Sequence, residues 1–156
     1  MQEQNDTPGW NPEASVGFWL NRASRMLMRL HENRLRPLGF GMSQMPILQA
    51  LSENESLSQK DLAQRARVEQ PTMAEMLARM ERDGLVEREP NPNDKRASLT
   101  SLSRKAKARL PKAKAELIQG ELDATAGFSD EEKAVLRGFL MRIVRNLEEG
   151  TAGGKD

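Results

Sequence analysis

The residues best suited to chemistry in this sequence are cations that could pair with phosphate groups. Six basic residues and no acidic one lie between Lys95 and Arg109. Lys and Arg form charge-assisted hydrogen bonds with phosphate oxygens, and clustered cations are typical of surfaces that bind nucleic acids. Charge alone leaves a second interpretation open, because ordinary solvated helix faces carry similar runs. The net charge of +1 neither supports nor excludes nucleic-acid binding, because such binding needs a basic face and not a basic chain.

Residues suited to catalysis are scarce. The chain has no Cys, no Tyr and a single His. The lack of Cys excludes disulfides, thiolate zinc sites, cysteine nucleophiles and thiol-based redox sensing, and one His leaves little capacity for general acid–base chemistry near neutral pH. No metal-ligand cluster, nucleophile–base pair or glycine-rich phosphate loop is visible in the sequence. We therefore expect a protein that is not an enzyme and that needs neither a metal nor a cofactor.

The length and hydropathy of the chain predict one domain that does not enter a membrane. A chain of 156 residues fits a single domain with a substantial core. No run of about 18 apolar residues is present, as a membrane-spanning helix would need. The first residues have neither the basic start nor the apolar stretch of a signal peptide. We therefore expect a cytoplasmic protein without a membrane partner.

The two ends of the chain differ in composition from the part between them. Residues 1–14 are polar and contain Pro and Gly, and we expect a flexible arm; residues 150–156 are expected to form a flexible tail. Residues 15–149 are predicted to form a single domain. Apolar residues three or four positions apart predict a long helix over about 15–36 and further helices over about 104–149.

Three shorter helices are predicted between the long ones. Ser43 is placed to cap the first of them. Ser58, with Asp61 three positions later, resembles a capping box that opens the second. Pro71 marks the first turn of the third, which ends before Gly84. The inner face of this third helix carries Met73, Met76, Leu77 and Met80. Its outer face carries Thr72, Glu75, Arg79 and Arg82.

A β-hairpin is predicted directly after these helices. Residues 85–89 form an extended run, 90–94 are rich in turn formers, and 95–102 predict a returning strand. The fold class that follows is mainly α with a small β-hairpin wing. It is a winged helix-turn-helix domain, with a DNA-binding lobe over about 43–102 and long N- and C-terminal helices on either side of it. Such a lobe can insert one helix into the major groove and reach the minor groove with its wing.

Two segments in tandem resemble the multiple-antibiotic-resistance regulator (MarR) family. Val68–Arg88 resembles the recognition helix of that family, and Pro92–Ala97 resembles its wing. The resemblance covers about residues 15–148. It implies a homodimer held by the first, fifth and last helices, which binds a pseudo-palindromic operator in double-stranded DNA. It also permits a small-molecule effector, since phenolic or aromatic carboxylate ligands release many members from DNA.

The resemblance implies roles for single residues. Arg96 matches the wing arginine that enters the minor groove, Asp94 the acid that orients the wing, and Arg88 a basic residue that can pair with that acid. The groove-facing positions of the recognition helix correspond to Gln70, Pro71, Thr72 and Glu75. The full set that we expect to contact DNA is Ser43, Gln44, Arg67, Gln70, Pro71, Thr72, Glu75, Arg79, Arg88, Asp94, Lys95 and Arg96.

Other interpretations of these residues stay open. Gln70, Thr72 and Glu75 could belong to an ordinary exposed helix face. If Glu75 faces DNA, it could accept from the amine of a cytosine, or it could repel phosphate and reject a wrong register. Asp94 could be a turn residue that bonds its own backbone. Arg96 is the most informative residue, because an arginine at a loop tip has few structural reasons to exist.

An arginine-rich face surrounds Trp19 on the first helix. Trp19 could stack on a small aromatic acid whose carboxylate is held by Arg22 or Arg25. Alternatively, these arginines face solvent or phosphate, and Trp19 fills the core of a dimer. His31, on the same helix, is expected to be a surface or capping residue.

The sequence as a whole predicts a transcriptional regulator that binds double-stranded DNA sequence-specifically. We expect a homodimeric repressor of a pseudo-palindromic operator, relieved by a small aromatic or phenolic ligand. The alternative is a winged-helix module that contacts other proteins and does not bind DNA. The basic pair Lys95–Arg96 argues against that alternative, since an acidic or apolar hairpin tip would favour it.

Overall fold

Periodic apolar residues form six α-helices within residues 11–152, the part of the chain that this computed structural model describes, without the side chains of residues 95, 96 and 152. The helices are α1 (Val16–Leu35), α2 (Met45–Glu53), α3 (Gln59–Ala66), α4 (Gln70–Arg82), α5 (Arg104–Ala124) and α6 (Asp130–Ala152). The strands are β1 (Leu57–Ser58), β2 (Val86–Asn91) and β3 (Asp94–Leu102). Described residues up to Gly120 form one compact unit, and those from Glu121 onward form a second. The division into an arm, one domain and a tail stays a prediction.

The core of the first unit lies between the short helices, the sheet and the first half of α5. Each helix contributes apolar residues at helical spacing, so one stripe of each is buried. Leu48 of α2, Leu62 of α3, Leu77 of α4 and Ala106 of α5 are completely or almost completely buried. The predicted combination of a helix-turn-helix with a wing is therefore confirmed as the fold class, and this core holds its parts together.

The wing is part of a three-stranded antiparallel sheet with the order β1-β3-β2. The sequence predicts only the hairpin, and it misses β1. Leu57 of β1 pairs with Thr100 of β3, and Val86 of β2 pairs with Leu102. The strands of the wing are also longer than predicted, because Pro90 belongs to β2. Pro90 is tolerated there because β2 is an edge strand, where a residue without an N–H breaks no inner ladder.

Gly84 ends α4 as predicted, because its φ angle of 70° lies in the left-handed region that glycine adopts without strain. The N–H of Leu85 donates to the carbonyl of Met80 at 2.8 Å and closes the helix end. Leu85 is buried, and β2 begins one residue later. This short connection places the start of the wing directly beside the end of α4.

The predicted cap at Ser43 is wrong. A 3-10 turn over Met42–Gln44 precedes α2, so Ser43 lies inside the turn instead of before a helix. The N–H groups at the start of the turn have other acceptors: Oε1 of Gln44 accepts from Gly41 at 2.9 Å, and Oε1 of Glu32 accepts from Met42 at 2.8 Å. A carboxylate on α1 therefore binds the first N–H of this turn, and Ser43 does not stand at the position of a cap.

The predicted cap at Ser58 is confirmed. Its Oγ accepts from the backbone N–H of Asp61 at 3.1 Å and donates to the carboxylate of Asp61 at 2.6 Å. These two hydrogen bonds satisfy an N–H group that would otherwise lack a partner in the first turn of α3. They also fix the point where β1 passes into the helix-turn-helix.

His31 is buried, and the expectation of a surface or capping residue is wrong. It is 9% exposed and packs against Gly120 of α5. A Cβ atom at Gly120 would lie 2.7 Å from both Cδ2 and Nε2 of the His31 ring, which is closer than any relaxed contact. Near this point Arg34 donates to Glu116 at 2.9 Å and joins α1 to α5. The lack of a side chain at Gly120 is what makes room for the histidine.

The second unit contains the end of α5, a turn and α6. The backbone N–H of Ser129 donates to Glu132 at 2.8 Å, and the N–H of Glu132 donates back to Ser129 at 3.2 Å, which forms a capping box before α6. The helix continues past the predicted start of the tail, and the hydroxyl of Thr151 bonds the carbonyls of its preceding turn. Among residues 11–152, no helix combines the length and apolar composition that a membrane crossing requires.

Candidate nucleic-acid interface

Helix α4 has one apolar face in the core and one polar face in solvent. Met73 and Leu77 are 0% exposed, and Met80 is 1% exposed. The exposed face carries Gln70, Pro71, Thr72, Glu75, Ala78, Arg79, Glu81 and Arg82. The predicted amphipathic helix is confirmed, and its polar side chains project from a backbone that the core holds in place. Such a helix can present side chains to the edges of bases.

The polar face of α4 changes in charge along the helix. Its first turn is uncharged, Glu75 follows one turn later, and Arg79 and Arg82 lie near its end. Nε of Arg79 donates to the backbone carbonyl of Glu75 at 3.4 Å, and Nε of Arg82 donates to Asp83 at 3.1 Å. The two cations favour the negative end of the helix dipole. Neutral hydrogen-bonding groups therefore lie at the start of the helix, where a recognition helix reads bases.

Gln70 is held by a residue that the sequence analysis misses. Nε2 of Gln59 lies 3.0 Å from Oε1 of Gln70 and 3.5 Å from the backbone oxygen of Gln70. Gln59 is the first residue of α3, and Gln70 is the first residue of α4. The pair therefore joins the beginnings of the two helices. The periodicity of α3 or of α4 alone does not predict this side-chain pair, because the pair depends on how the two helices cross.

The wing carries three of the predicted DNA-contacting residues near its turn. Asp94 is exposed at the start of β3, and the side chains of Lys95 and Arg96 lie outside the described residues. The strand register slips between Pro90 and Asn91, so residues 95–97 lie between two paired positions of the ladder. The backbone of the predicted cationic tip thus belongs to a β-bulge, a feature that locally increases the twist of a strand.

Arg88 is half-buried on β2, and its Nη2 donates to Oγ of Ser98 on β3 at 3.1 Å. Its predicted pairing with Asp94 stays a prediction.

A cleft of about 440 Å³ lies between the beginnings of α3 and α4 and the wing. The cleft is lined by Ser58, Gln59, Lys60, Gln70, Arg88, Asn91, Asp94, Ala97 and Ser98. Every one of these residues except Ala97 carries a polar side chain, so this surface is suited to hydrogen bonding.

The remaining predicted contacts lie on either side of α4. Ser43 is exposed and Gln44 is half-buried; both line a cleft of about 150 Å³ beside Arg79. Arg67 is exposed at the end of α3, with a φ angle of 53°. The left-handed conformation of Arg67 makes the sharp turn between α3 and α4.

The residues proposed for ligand binding lie on the exposed side of α1. Trp19 is 51% exposed, and Arg22 and Arg25 are also exposed. Nε1 of Trp19 donates to the carbonyl of Glu13 at 2.8 Å, and Cζ of Arg22 lies 6.0 Å from the centre of the Trp19 ring. This distance is at the outer limit of a cation–π interaction. The arginine and the indole therefore lie close together, as the ligand hypothesis requires.

Comparison with known proteins finds relatives for this arrangement. The sequence is 28% identical over 114 residues to YwoH of Bacillus subtilis, an uncharacterized HTH-type transcriptional regulator. The match covers 73% of this chain and 82% of YwoH. A probable transcriptional regulator from Pseudomonas aeruginosa has a similar structure, with a TM-score of 0.74, 28% identity and coverage of 85% and 99% of the two chains. A MarR mutant from E. coli, solved in complex with operator DNA, gives a TM-score of 0.73 at 25% identity and covers 82% of this chain and 92% of its own.

The profile of the MarR family matches residues 40–98. The chain therefore resembles the MarR family over this segment, which is 59 of its 156 residues. The matched segment extends from Phe40 to Ser98, and it includes α2, α3, α4, β2 and most of β3. The winged helix-turn-helix of this chain is formed by α3, α4 and the hairpin of β2 and β3. YwoH and the P. aeruginosa protein are both named as transcriptional regulators, and the MarR mutant was solved in complex with operator DNA.

Proposed function

We propose that this protein is a MarR-family transcriptional repressor that binds double-stranded DNA sequence-specifically as a homodimer. The observation that carries the proposal is the polar face of α4, which is exposed while Met73 and Leu77 on the opposite face are completely buried. A helix anchored in this way can enter a major groove about 12 Å wide without leaving its own core. The DNA complex of the E. coli MarR mutant supports the assignment.

The wing would contact the neighbouring minor groove through Arg96. A narrow minor groove concentrates negative potential and attracts arginine. The backbone of Arg96 lies in the bulge of β3, three residues after Asn93, the last residue of the turn. In the proposed complex, recognition helices of two protomers read half-sites about one helical turn apart, and this geometry gives the operator its approximate palindrome.

Replacement of Arg96 by alanine tests DNA binding. We expect Arg96→Ala to weaken binding to the operator. It should also reduce the slope of log K against log salt concentration by about one unit, because one cation near the DNA phosphates is lost. A gel-shift titration at two salt concentrations measures both effects, with duplexes selected from a random pool. Lys112→Ala, which removes an exposed cation outside α4 and the wing, serves as the charge-matched control. Binding that is absent in the wild type, or insensitive to salt, would favour a protein-interaction module.

We further propose that a small aromatic acid binds at Trp19 and the neighbouring arginines and weakens DNA binding. An effector releases DNA only through a difference in its affinity for the two states of the dimer. The half-exposed Trp19 ring and the cation of Arg22 near it support an aromatic carboxylate as the ligand.

The effector proposal is tested with benzoate and salicylate as probes. We expect either acid to raise the thermal unfolding midpoint and to weaken the gel shift, and we expect uncharged benzamide to do neither. Arg22→Gln combined with Arg25→Gln should abolish both effects, since the carboxylate then loses its partners. Arg29→Gln, an exposed arginine farther along α1, is the control. If the acids still raise the unfolding midpoint and weaken the gel shift of the double variant, the ligand does not bind at Trp19 and its arginines.

A further inference from the structure

The side-chain pair formed by Gln59 and Gln70 carries an inference about how the operator is read, and it rests on the proposed DNA-binding function. We propose that Gln59 is a positioning residue that fixes the amide of Gln70 so that Gln70 reads an adenine in the major groove. Gln59 itself need not touch a base. It lies half-buried at the start of α3, behind the exposed Gln70 at the start of α4.

The surroundings of the pair determine which way each amide points. Nε2 of Gln59 faces two oxygens, the backbone carbonyl of Gln70 at 3.5 Å and its side-chain Oε1 at 3.0 Å. A backbone carbonyl can only accept, so the group of Gln59 that faces it must be the NH₂ donor. Because this NH₂ group also faces the side-chain amide of Gln70, the amide oxygen of Gln70 must be turned toward it as the acceptor. The opposite orientation of Gln70 would place two NH₂ groups against each other.

This orientation leaves Gln70 with the hydrogen-bonding groups that adenine requires. Its Oε1 has two lone pairs, and Gln59 uses one of them. No described residue accepts from its Nε2. Glutamine recognises adenine by donating to N7 and accepting from the N6 amine. Gln70 can therefore make both bonds while Gln59 holds it, and its side chain loses less conformational freedom on binding.

The lack of charge on both side chains separates this role from that of a phosphate contact. A neutral pair releases no counterions, so its removal leaves the salt dependence of binding unchanged. Lys60 follows Gln59 in α3 and lines the same cleft, but it carries a charge and makes no contact of this kind. A change in base preference therefore reports on Gln59, whereas a change in the salt slope reports on Lys60.

The experiment measures relative affinities for operator duplexes that carry every single base-pair change, after selection of the wild-type site from random duplexes. We expect the wild type to prefer adenine at one position of each half-site by about 5- to 100-fold, which is the discrimination of one bidentate pair. Gln70→Ala should remove this preference. Gln59→Ala should reduce it severalfold at the same position, with an unchanged salt slope and an unchanged thermal unfolding midpoint.

Two further variants sharpen the test. Gln59→Glu replaces the donor by a group that only accepts, so it should turn the Gln70 amide around and change the preferred base at that position. Lys60→Ala should leave base preference as it is in the wild type. The inference is overturned if Gln59→Ala retains the full preference, or if its losses spread evenly over the site. A wild-type chain that binds no duplex overturns the proposed function itself. This outcome differs from one in which the operator is bound but substitution of Gln59 does not change the base preference.

Discussion

Leu77→Ala is expected to lower the free energy of unfolding by about 2–5 kcal/mol, the range measured for cavity-forming substitutions in protein cores. Leu77 is 0% exposed and lies in the middle of α4, in the same cluster as Met73 and Met80. Its removal leaves α4 without its central apolar anchor. Urea unfolding at a fixed protein concentration measures the effect, since the stability of an oligomer depends on concentration.

The control for this substitution lies on the same helix. Glu81 is exposed one turn later, and Glu81→Ala should change the free energy of unfolding by no more than about 0.5 kcal/mol. Alanine keeps a high helix propensity at both positions, so the comparison isolates burial. A loss below about 1 kcal/mol for Leu77→Ala would mean that the inner face of α4 is loosely packed.

The double variant Val144→Glu/Leu147→Glu is expected to convert a homodimer into a monomer of 17.5 kDa. Val144 and Leu147 of α6 are 54% and 63% exposed, so the charges need not disturb the core of the isolated chain. Further exposed apolar residues of α6 are Val135, Leu136, Phe139, Leu140 and Met141. Exposed apolar residues concentrated on one helix are typical of an interface with another subunit.

Loss of the dimer should also weaken operator binding by about 10²–10⁴-fold, because the second half-site is no longer engaged by a linked module. Light scattering gives the mass, and a gel shift gives the affinity. Arg145→Glu changes the net charge by the same two units on an exposed position of α6, and it should leave both results unchanged. A wild-type mass of one chain, or a variant that stays dimeric, would exclude α6 as the dimer contact.

The sequence predicts those parts of the fold whose causes are local. The spacing of Met73, Leu77 and Met80 predicts α4 and its buried face, and Gly84 predicts its end; both predictions are confirmed. Ser58 and Asp61 predict the start of α3 in the same way. Each of these features depends on residues within one or two turns of each other, so the pattern along the chain contains the cause.

The features that the sequence does not predict depend on residues far apart in the chain. The two residues of β1 are too few for any periodicity, and their partners Leu99 and Thr100 lie more than 40 residues later in the chain. Ser43 has the residue type of a cap, but it lies inside a 3-10 turn whose first N–H donates to Glu32 on α1, and α2 begins two residues later. Gln59 and Gln70 meet through the crossing of two helices. The roles of the predicted DNA contacts, Arg96 above all, stay predictions.

The contact between His31 and Gly120 has a consequence for how the sequence can vary. A Cβ atom at position 120 would lie 2.7 Å from the His31 ring, so a larger residue there requires the imidazole to move or to be replaced by a smaller side chain. Aligned relatives that carry alanine or serine at position 120 should therefore carry a smaller residue at position 31. The two positions should covary in volume, and the total size of the two side chains should stay nearly constant.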